Sequence, residues 1–370
     1  MFNYDHYVPI VRWKRGEQTA LSELDQKIKN KMTPLIEIPP IDWDFENECP
    51  KKTIDDHIKN LSSQLKTSWN HSNTVFIDAL QICVDDEELM TDGTHPLEYI
   101  FDMLSKNEIE AIPVTGKGRG INYQKAVYSI IQKYNKGYAI RLIDEDFDDV
   151  DTVIEWFFKQ FNNPLEEIDI IIDYKYIDSK TPVGRMAKLI AGSLLSLPYI
   201  DRWRTLTVSG TTFPESLAEI PTGQDGRIPR LEWLIYQRLF DTKLPRYPSF
   251  GDYIISNPEY AKIDPRFMKM SANIRYTVDN EYLIFRGYSV TSPKYGKWKQ
   301  THGLCKRVVA HPKYCGHTYS YGDAYIYKCA NGATGTGNAE TWRSIGTNHH
   351  LTLVINELSN FHVSLIVGSQ

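Results

Sequence analysis

The feature that most constrains the fold is an alternation, over the first 256 residues, of short β-rich runs with longer amphipathic stretches. This alternation is typical of repeated βα units that build a parallel sheet. Most of the runs are nearly continuous in Val, Ile, Leu and Tyr, which suits strands that are buried on both faces. Eight strands are predicted, at Tyr7–Trp13, Pro34–Ile38, Thr74–Leu80, Ala111–Thr115, Tyr138–Ile143, Ile168–Tyr174, Thr205–Ser209 and Gly251–Ser256.

Amphipathic helices are predicted between these strands, because apolar residues recur there with the spacing of one helical face. Each such face needs a sheet to cover, and eight strands favour closure into a (β/α)8 TIM-type barrel. An open doubly wound sheet is the alternative, but no G-x-G-x-x-G follows the first strand. The helices are predicted at Glu17–Lys29, Thr53–Ser68, Pro96–Ser105, Asn122–Tyr134, Asp151–Phe161 and Val183–Leu195.

The pattern changes after residue 256. Asn273–Val290 alternates with period two around Asp279-Asn280, which predicts a hairpin, whereas Gly337–Leu358 predicts the eighth barrel helix. The residues between strand eight and that helix form a βα loop, and βα loops emerge at the C-terminal face of a barrel. We therefore predict a barrel in residues 1–256, a long capping insertion after strand 8 that forms a lid in residues 257–336, and the last helix and tail in residues 337–370.

The composition is that of an ordinary globular protein, with 41% hydrophobic residues, 24% charged residues and a net charge of −5. This charge does not suggest a general polyanion binder, although a local basic patch could exist. There is no apolar run long enough for a spanning helix, and Met1–Pro9 lacks the apolar core of a secretory signal. Five cysteines do not suggest a disulfide framework. We expect a cytoplasmic protein without a membrane partner.

Polar residues occupy the C-terminal ends of the predicted strands, and in a barrel these positions face a shared mouth. Glu37, Asp78 and Asp173 are the candidate catalytic residues, because they could bind a divalent metal ion or divide acid and base roles. An ion-pair network that seals the barrel is the alternative, because buried charges must pair whether or not they do chemistry. The candidate ligand-binding residues at the mouth, mostly cations that could neutralise an anionic substrate, are Lys14, Arg15, Arg141, Lys175, Ser209 and Asp252.

A glycine-rich segment, Gly116-Lys117-Gly118-Arg119-Gly120, lies between strand four and the helix that starts near Asn122. Its glycines would let the backbone approach a ligand, and its two cations next to a helix N-terminus could bind phosphate. Lys117 and Arg119 are therefore also candidate ligand-binding residues. The segment lacks the residue order of a P-loop, and a flexible turn is the alternative.

The predicted insertion has two further features whose function is open. Basic and aromatic residues are dense between residues 275 and 328, which is typical both of single-stranded nucleic-acid surfaces and of protein–protein anchors. The acidic total charge favours a protein partner. Five residues could hold zinc, although no C-x-x-C pair is present and a histidine-rich solvated loop is the alternative: His302, Cys305, His311, Cys315 and His317.

The segment YVPIVRWKRGEQTALSEL, followed by TPLIEIPP, resembles the beta-protein family of phages and prophages. The resemblance continues through the FIDA, AIPV, AIRL and IDYK blocks and covers most of the chain, but it is not matched block by block after about residue 290. It implies a mobile-element protein with a role in conflict between phages or between phage and host. It implies no particular reaction.

Two functional hypotheses follow. The first is a protein of anti-phage defence or phage–host conflict that binds, at the barrel mouth, a protein of the same defence locus or a nucleotide or other phosphate-bearing ligand. The second is a metal-assisted hydrolase or phosphodiesterase for a nucleotide or nucleic acid, in which Glu37, Asp78 and Asp173 hold a divalent metal ion or act as acid and base. The mixed charges of the mouth support the second hypothesis. The first is supported because the sequence contains no complete catalytic signature, so enzymatic activity is an open question.

Overall fold

The computed structural model of the protein describes residues 2–260, 264 and 269–368. The strands are β1 Tyr7–Arg12, β2 Leu35–Glu37, β3 Trp43–Asp44, β4 Cys49–Pro50, β5 Val75–Asp78, β6 Ala111–Thr115, β7 Tyr138–Leu142, β8 Ile168–Tyr176, β9 Thr205–Thr211, β10 Asp225–Pro229, β11 Ser249–Asp252, β12 Ser271–Val278 and β13 Glu281–Ser289. The helices are α1 Arg15–Ser22, α2 Gln26–Lys29, α3 Ile54–Ile58, α4 Leu61–Trp69, α5 Pro96–Lys106, α6 Ile121–Tyr134, α7 Val150–Phe161, α8 Val183–Ser196, α9 Leu231–Leu239, α10 Thr301–Val309, α11 Tyr321–Ala330 and α12 Ala339–Gly368.

Eight strands form a closed barrel in the order β1-β11-β9-β8-β7-β6-β5-β2. All neighbouring pairs are parallel, so the predicted (β/α)8 barrel is confirmed. Alternate residues of a strand point to opposite faces. In β1, Val8 and Ile10 accordingly belong to one buried cluster, and Tyr7 and Val11 belong to another.

Strand eight is shorter than predicted and ends earlier. Its prediction covered Gly251–Ser256, whereas β11 ends at Asp252. The Asp252 carboxylate accepts a hydrogen bond from the backbone N–H of Ile254, and Ile254 has a φ of 61°, so the chain turns out of the sheet there. The apolar residues that predicted more strand are buried in this turn.

Two predicted helices are each divided in two. The prediction Glu17–Lys29 corresponds to α1 and α2, because the Asp25 side chain caps a new helix by accepting a hydrogen bond from the Lys27 N–H. The prediction Thr53–Ser68 corresponds to α3 and α4, which are separated at Asn60, where φ and ψ are −101° and 0°. Apolar periodicity continues across both breaks and therefore does not reveal them.

The predicted hairpin is confirmed as β12 and β13. A strand that the sequence did not predict, β10, pairs antiparallel with β13 and completes a three-stranded sheet. A second core, separate from that of the barrel, joins β12 and β13 to α10, α11 and the start of α12. Because β10 precedes β11 in the chain, this sheet is not built from residues 257–336 alone. The role of those residues as a lid stays a prediction.

The last helix, α12, includes the predicted Gly337–Leu358 segment from Ala339 onward and continues to Gly368. His349 and His350, near its middle, are both fully buried: His349 contacts Asp323 of α11, and His350 contacts Asp252 of β11. None of the helices within the described ranges combines the length and the apolar character needed to cross a bilayer. All five cysteines are free.

Candidate functional site

Three barrel strands have the same local structure at or near their C-terminal ends. Asp78, Asp173 and Asp252 each accept a hydrogen bond on Oδ1 from the backbone N–H two residues further on, at 3.0, 2.9 and 2.8 Å. Such turns fix the carboxylate relative to its own backbone. In two of these turns the donating residue has a positive φ, 50° at Lys175 and 61° at Ile254, which residues other than glycine rarely adopt.

The three candidate catalytic carboxylates converge on Arg141 of β7. Arg141 Nη1 donates to Asp78 Oδ2 at 2.7 Å and to Glu37 Oε1 at 3.2 Å, and Nη2 donates to Asp173 Oδ2 at 2.7 Å. None of the four side chains is more than 9% exposed. This arrangement is the ion-pair network that the sequence offered as the alternative, and the catalytic role of the carboxylates stays a prediction.

A second guanidinium completes the network. Arg119 donates to both carboxylate oxygens of Asp78, at 2.5 and 2.8 Å. Burial alone would raise the pKa of Asp78, but the charges of Arg119 and Arg141 outweigh burial and hold that pKa below its usual range. Asp78 is therefore ionised at neutral pH.

Two tyrosines that the sequence did not indicate close the network. The Tyr253 hydroxyl donates to Asp173 Oδ2 at 2.6 Å, and the Tyr260 hydroxyl donates to Glu37 Oε2 at 2.8 Å. Burial raises the pKa of both phenols, so they remain neutral donors. We call Glu37, Asp78, Arg119, Arg141, Asp173, Tyr253 and Tyr260 the Arg141 network. The sequence signal that could have indicated Tyr253 is its position directly after the strand-end residue Asp252.

A cavity of about 320 Å³ lies against this network. Lys117 and Lys175 contribute exposed side chains to its wall, and neither forms a salt bridge with another described residue. The Lys117 Nζ lies 3.9 Å from the ring centroid of Trp156. The charged residues of the wall are Glu37, Lys117, Arg119, Arg141, Asp146, Lys175 and Glu259.

The N-terminus of α6, which the glycine-rich segment suggested as a phosphate site, is already capped by a carboxylate. The two oxygens of Asp86 accept hydrogen bonds from the backbone N–H groups of Asn122 and Tyr123, both at 2.9 Å. Arg119 is turned towards Asp78. Of the two cations predicted there to bind phosphate, Lys117 is therefore the one without an ion pair among the described residues.

The remaining candidates lie outside the cavity wall. Arg15 has a side chain that is 80% exposed and pairs with Glu340 at 3.0 Å. Ser209 is buried beneath the mouth and donates a hydrogen bond to Asp173 at 3.2 Å. The Lys14 Nζ lies 5.7 Å from the ring centroid of Tyr260.

Asp252 belongs to a second buried network, which joins the barrel to the three-stranded sheet. It accepts hydrogen bonds from the Tyr7 hydroxyl at 2.5 Å and from His350 Nε2 at 2.9 Å, and the other ring nitrogen of His350 lies 2.9 Å from Thr277 Oγ1. Burial lowers the pKa of His350, and this effect exceeds the opposing effect of Asp252. His350 is therefore neutral near pH 7 and above.

The predicted zinc residues do not converge. Cys305 is buried, Cys315 is exposed, and His302 Nδ1 lies 2.7 Å from the backbone oxygen of Cys329. Within the described ranges, which include all of residues 302–317, no three His, Cys, Asp or Glu side chains are arranged to hold a metal ion.

Eight parallel strands closed on themselves, with charged side chains gathered at their C-terminal ends, define a (β/α)8 barrel protein. A sequence model of the Beta protein family matches residues 7–356, and the chain therefore belongs to that family. Protein beta of Enterobacteria phage P4 is 24% identical over an alignment that covers 96% of this chain and 94% of that protein. The chain is thus a phage-related member of the beta family.

Solved structures with some likeness to the chain are enzymes of different activities. A mutant tryptophan synthase α-subunit from Pyrococcus furiosus has a TM-score of 0.39 and 7% identity, with 69% of this chain and 90% of that chain covered. Triosephosphate isomerase from Bartonella henselae has a TM-score of 0.33 and 12% identity, with 67% of this chain and 92% of that chain covered.

Proposed function

We propose that the protein acts in anti-phage defence or in phage–host conflict by binding a phosphate-bearing ligand at the barrel mouth. The observation that carries this proposal is the cavity beside the Arg141 network, with Lys117 and Lys175 on its wall. The carboxylates of the network already accept hydrogen bonds from arginines and tyrosines. Neither ammonium group forms a salt bridge or a hydrogen bond with a described residue, so a ligand rich in acceptor oxygens fits best.

The backbone of Lys175 adds support. A φ of 50° costs a residue other than glycine about 1 kcal/mol of conformational energy. The hydrogen bond from the Lys175 N–H to Asp173 maintains this conformation. Strained residues held in this way are concentrated at ligand sites. The turn therefore fixes the backbone that carries Lys175 at the cavity wall.

Metal-assisted hydrolysis has weaker support. It would need free oxygens on Glu37, Asp78 and Asp173, but the guanidinium of Arg141 lies between them. Removing that guanidinium would leave three buried carboxylates without their shared partner, which costs several kcal/mol. A ligand that contacts the two lysines requires no such rearrangement.

Calorimetric titration of the full chain with inorganic phosphate and with AMP tests the binding proposal. We expect the double variant Lys117→Gln/Lys175→Gln to bind the better of the two probes at least tenfold more weakly than the wild type. The matched control is Lys125→Gln/Lys188→Gln, which removes two exposed lysines from α6 and α8 and should bind normally. Equal affinities of the two double variants, or no heat with either probe, would reject the proposal.

The proposed role in phage conflict is tested with the same two variants. Cells that carry the wild-type gene should differ in plaque counts from cells without it. The Lys117→Gln/Lys175→Gln variant should lose this difference, and the Lys125→Gln/Lys188→Gln control should keep it. If the Lys117→Gln/Lys175→Gln variant kept the full wild-type difference in plaque counts, the role in phage conflict would not depend on the cavity.

A further inference from the structure

Acidic residues are absent from a long stretch of the chain. Residues 282–322 contain no Asp or Glu but seven Lys and Arg, whereas the whole chain has 47 acidic and 42 basic residues. This stretch begins in β13 and continues through α10 to the start of α11. The protein is therefore acidic overall, but this segment is basic.

Three of the seven cations are committed to other groups. Arg286 donates to the backbone oxygens of Leu217 and Ile220. Arg307 pairs with an aspartate at 3.0 Å, and Lys313 pairs with an aspartate and a glutamate at 3.1 and 3.4 Å. The other four are exposed lysines that form no salt bridge with any residue of the described ranges: Lys294, Lys297, Lys299 and Lys306.

An exposed pair of aromatic rings lies within the same segment. The rings of Tyr288 and Tyr295 stack with centroids 3.9 Å apart and an interplanar angle of 8°, although the two residues are 38% and 37% exposed. The Lys294 Nζ lies 5.3 Å from the centroid of the Tyr295 ring. Exposed stacked rings with cations next to them offer both a surface for bases and charges for phosphates.

The Gln300 side chain links two parts of the segment. Gln300 Oε1 accepts a hydrogen bond from the Tyr288 N–H at 2.6 Å, and its Nε2 donates to the backbone oxygens of Tyr288 and Lys297, at 3.2 and 2.6 Å. The backbone at Tyr288 and the backbone at Lys297 are thereby fixed relative to each other before any ligand arrives, which reduces the entropy lost on binding.

We propose that this surface, formed by Lys294, Lys297, Lys299, Lys306, Tyr288 and Tyr295 and called the basic face, binds single-stranded nucleic acid. The lysines contact successive phosphates, and unpaired bases stack against the tyrosines. The acidic total charge does not prevent this, because at physiological salt charges more than about 8–10 Å away are largely screened. This site is independent of the ligand proposed for the barrel mouth.

Fluorescence anisotropy of a short labelled oligo(dT) with the full chain tests the charge requirement. We expect binding that weakens as salt is raised, by about 0.7 logarithmic units in affinity per contacted phosphate for each tenfold increase in salt. The triple variant Lys294→Glu/Lys297→Glu/Lys299→Glu should bind at least tenfold more weakly and with a smaller salt slope. The control Lys125→Glu/Lys180→Glu/Lys188→Glu changes the net charge equally with exposed lysines elsewhere, and should bind nearly as the wild type.

Oligo(dT) and heparin, a polyanion without bases, together test the stacking requirement. We expect Tyr288→Ala/Tyr295→Ala to weaken oligo(dT) binding about fivefold or more and to leave heparin binding unchanged, at an unaltered melting temperature. Three results would overturn the proposal: no binding of oligo(dT), equal binding by the basic-face and control triple variants, or unchanged oligo(dT) binding in the tyrosine variant. Tighter binding of poly-glutamate than of oligo(dT) would also overturn it, by assigning the basic face to an acidic protein.

Discussion

Arg141, which belongs to β7, donates hydrogen bonds to carboxylates from β2, β5 and β8. One guanidinium thus connects four strands at the end of the barrel where a layer of apolar side chains would otherwise lie. A buried network of this kind stabilises the fold only when it is complete, because each charge depends on its partners.

Replacing Arg141 with methionine should lower the free energy of unfolding by about 3–5 kcal/mol near neutral pH, because three carboxylates lose their shared partner. Urea denaturation at neutral pH measures the effect. The matched control is Arg202→Met, which breaks an exposed pair with Glu166 and should cost less than about 1 kcal/mol. Equal losses in the two variants would contradict the prediction.

Asp78 should contribute to acid sensitivity. Its pKa in the folded protein lies below its unfolded value of about 4, so its stabilising effect is fully present above about pH 4 and is lost as the pH falls towards the folded pKa. Urea midpoints measured below about pH 5 should fall steeply in the wild type and less steeply in Asp78→Asn. Asp151→Asn, an exposed change on α7, should keep the wild-type slope. An unchanged slope in Asp78→Asn would refute this role.

The sequence predicted part of the site residue by residue. Glu37, Asp78, Arg141 and Asp173 could be selected because the apolar runs define where each strand ends, and strand ends share the mouth. Tyr253 was not selected, although it follows the strand-end residue Asp252, because it joins the site through the turn after that residue. A buried network with Tyr7 and His350 supports that turn from distant parts of the chain.

Two glycines of the segment from Gly116 to Gly120 differ in the space available for a side chain. A Cβ added at Gly120 would overlap the carboxylate of Asp86, which caps α6, whereas a Cβ added at Gly118 would meet no atom within 4 Å. We expect Gly120→Ala to lower the free energy of unfolding by about 1–3 kcal/mol. The control Gly118→Ala should change it by less than about 1 kcal/mol, as measured by urea denaturation. Equal effects would show that Asp86 is not fixed in place.

The elements themselves were predicted to different degrees. Most barrel strands were recognisable because they are local apolar runs, whereas β11 (SFGD) was located by the apolar residues of the turn that follows it. β10 was not, because Asp225–Pro229 (DGRIP) has no apolar pattern and becomes a strand only by pairing with β13. The break between α1 and α2 depends on one capping side chain, Asp25, which the apolar periodicity does not record.

For the whole molecule, barrel and three-stranded sheet should unfold as one unit. The pairing of β10 with β13 connects them through the backbone, and the chain of hydrogen bonds from Tyr7 to Thr277 connects them through buried side chains. Calorimetry should therefore give one transition with equal calorimetric and van't Hoff enthalpies. His350→Phe should lower the midpoint of that transition without dividing it. Two separate transitions in the wild type would contradict this coupling.

The position of β10 also bears on how members of this family could exchange parts. The sheet that follows the barrel needs a strand encoded before the last barrel strand. A recombination event that replaced residues 257–336 alone would leave β10 with an unmatched edge, and an unmatched edge invites aggregation. An exchange that keeps β10 and β13 from the same parent therefore starts before Asp225 and includes β11 of the barrel.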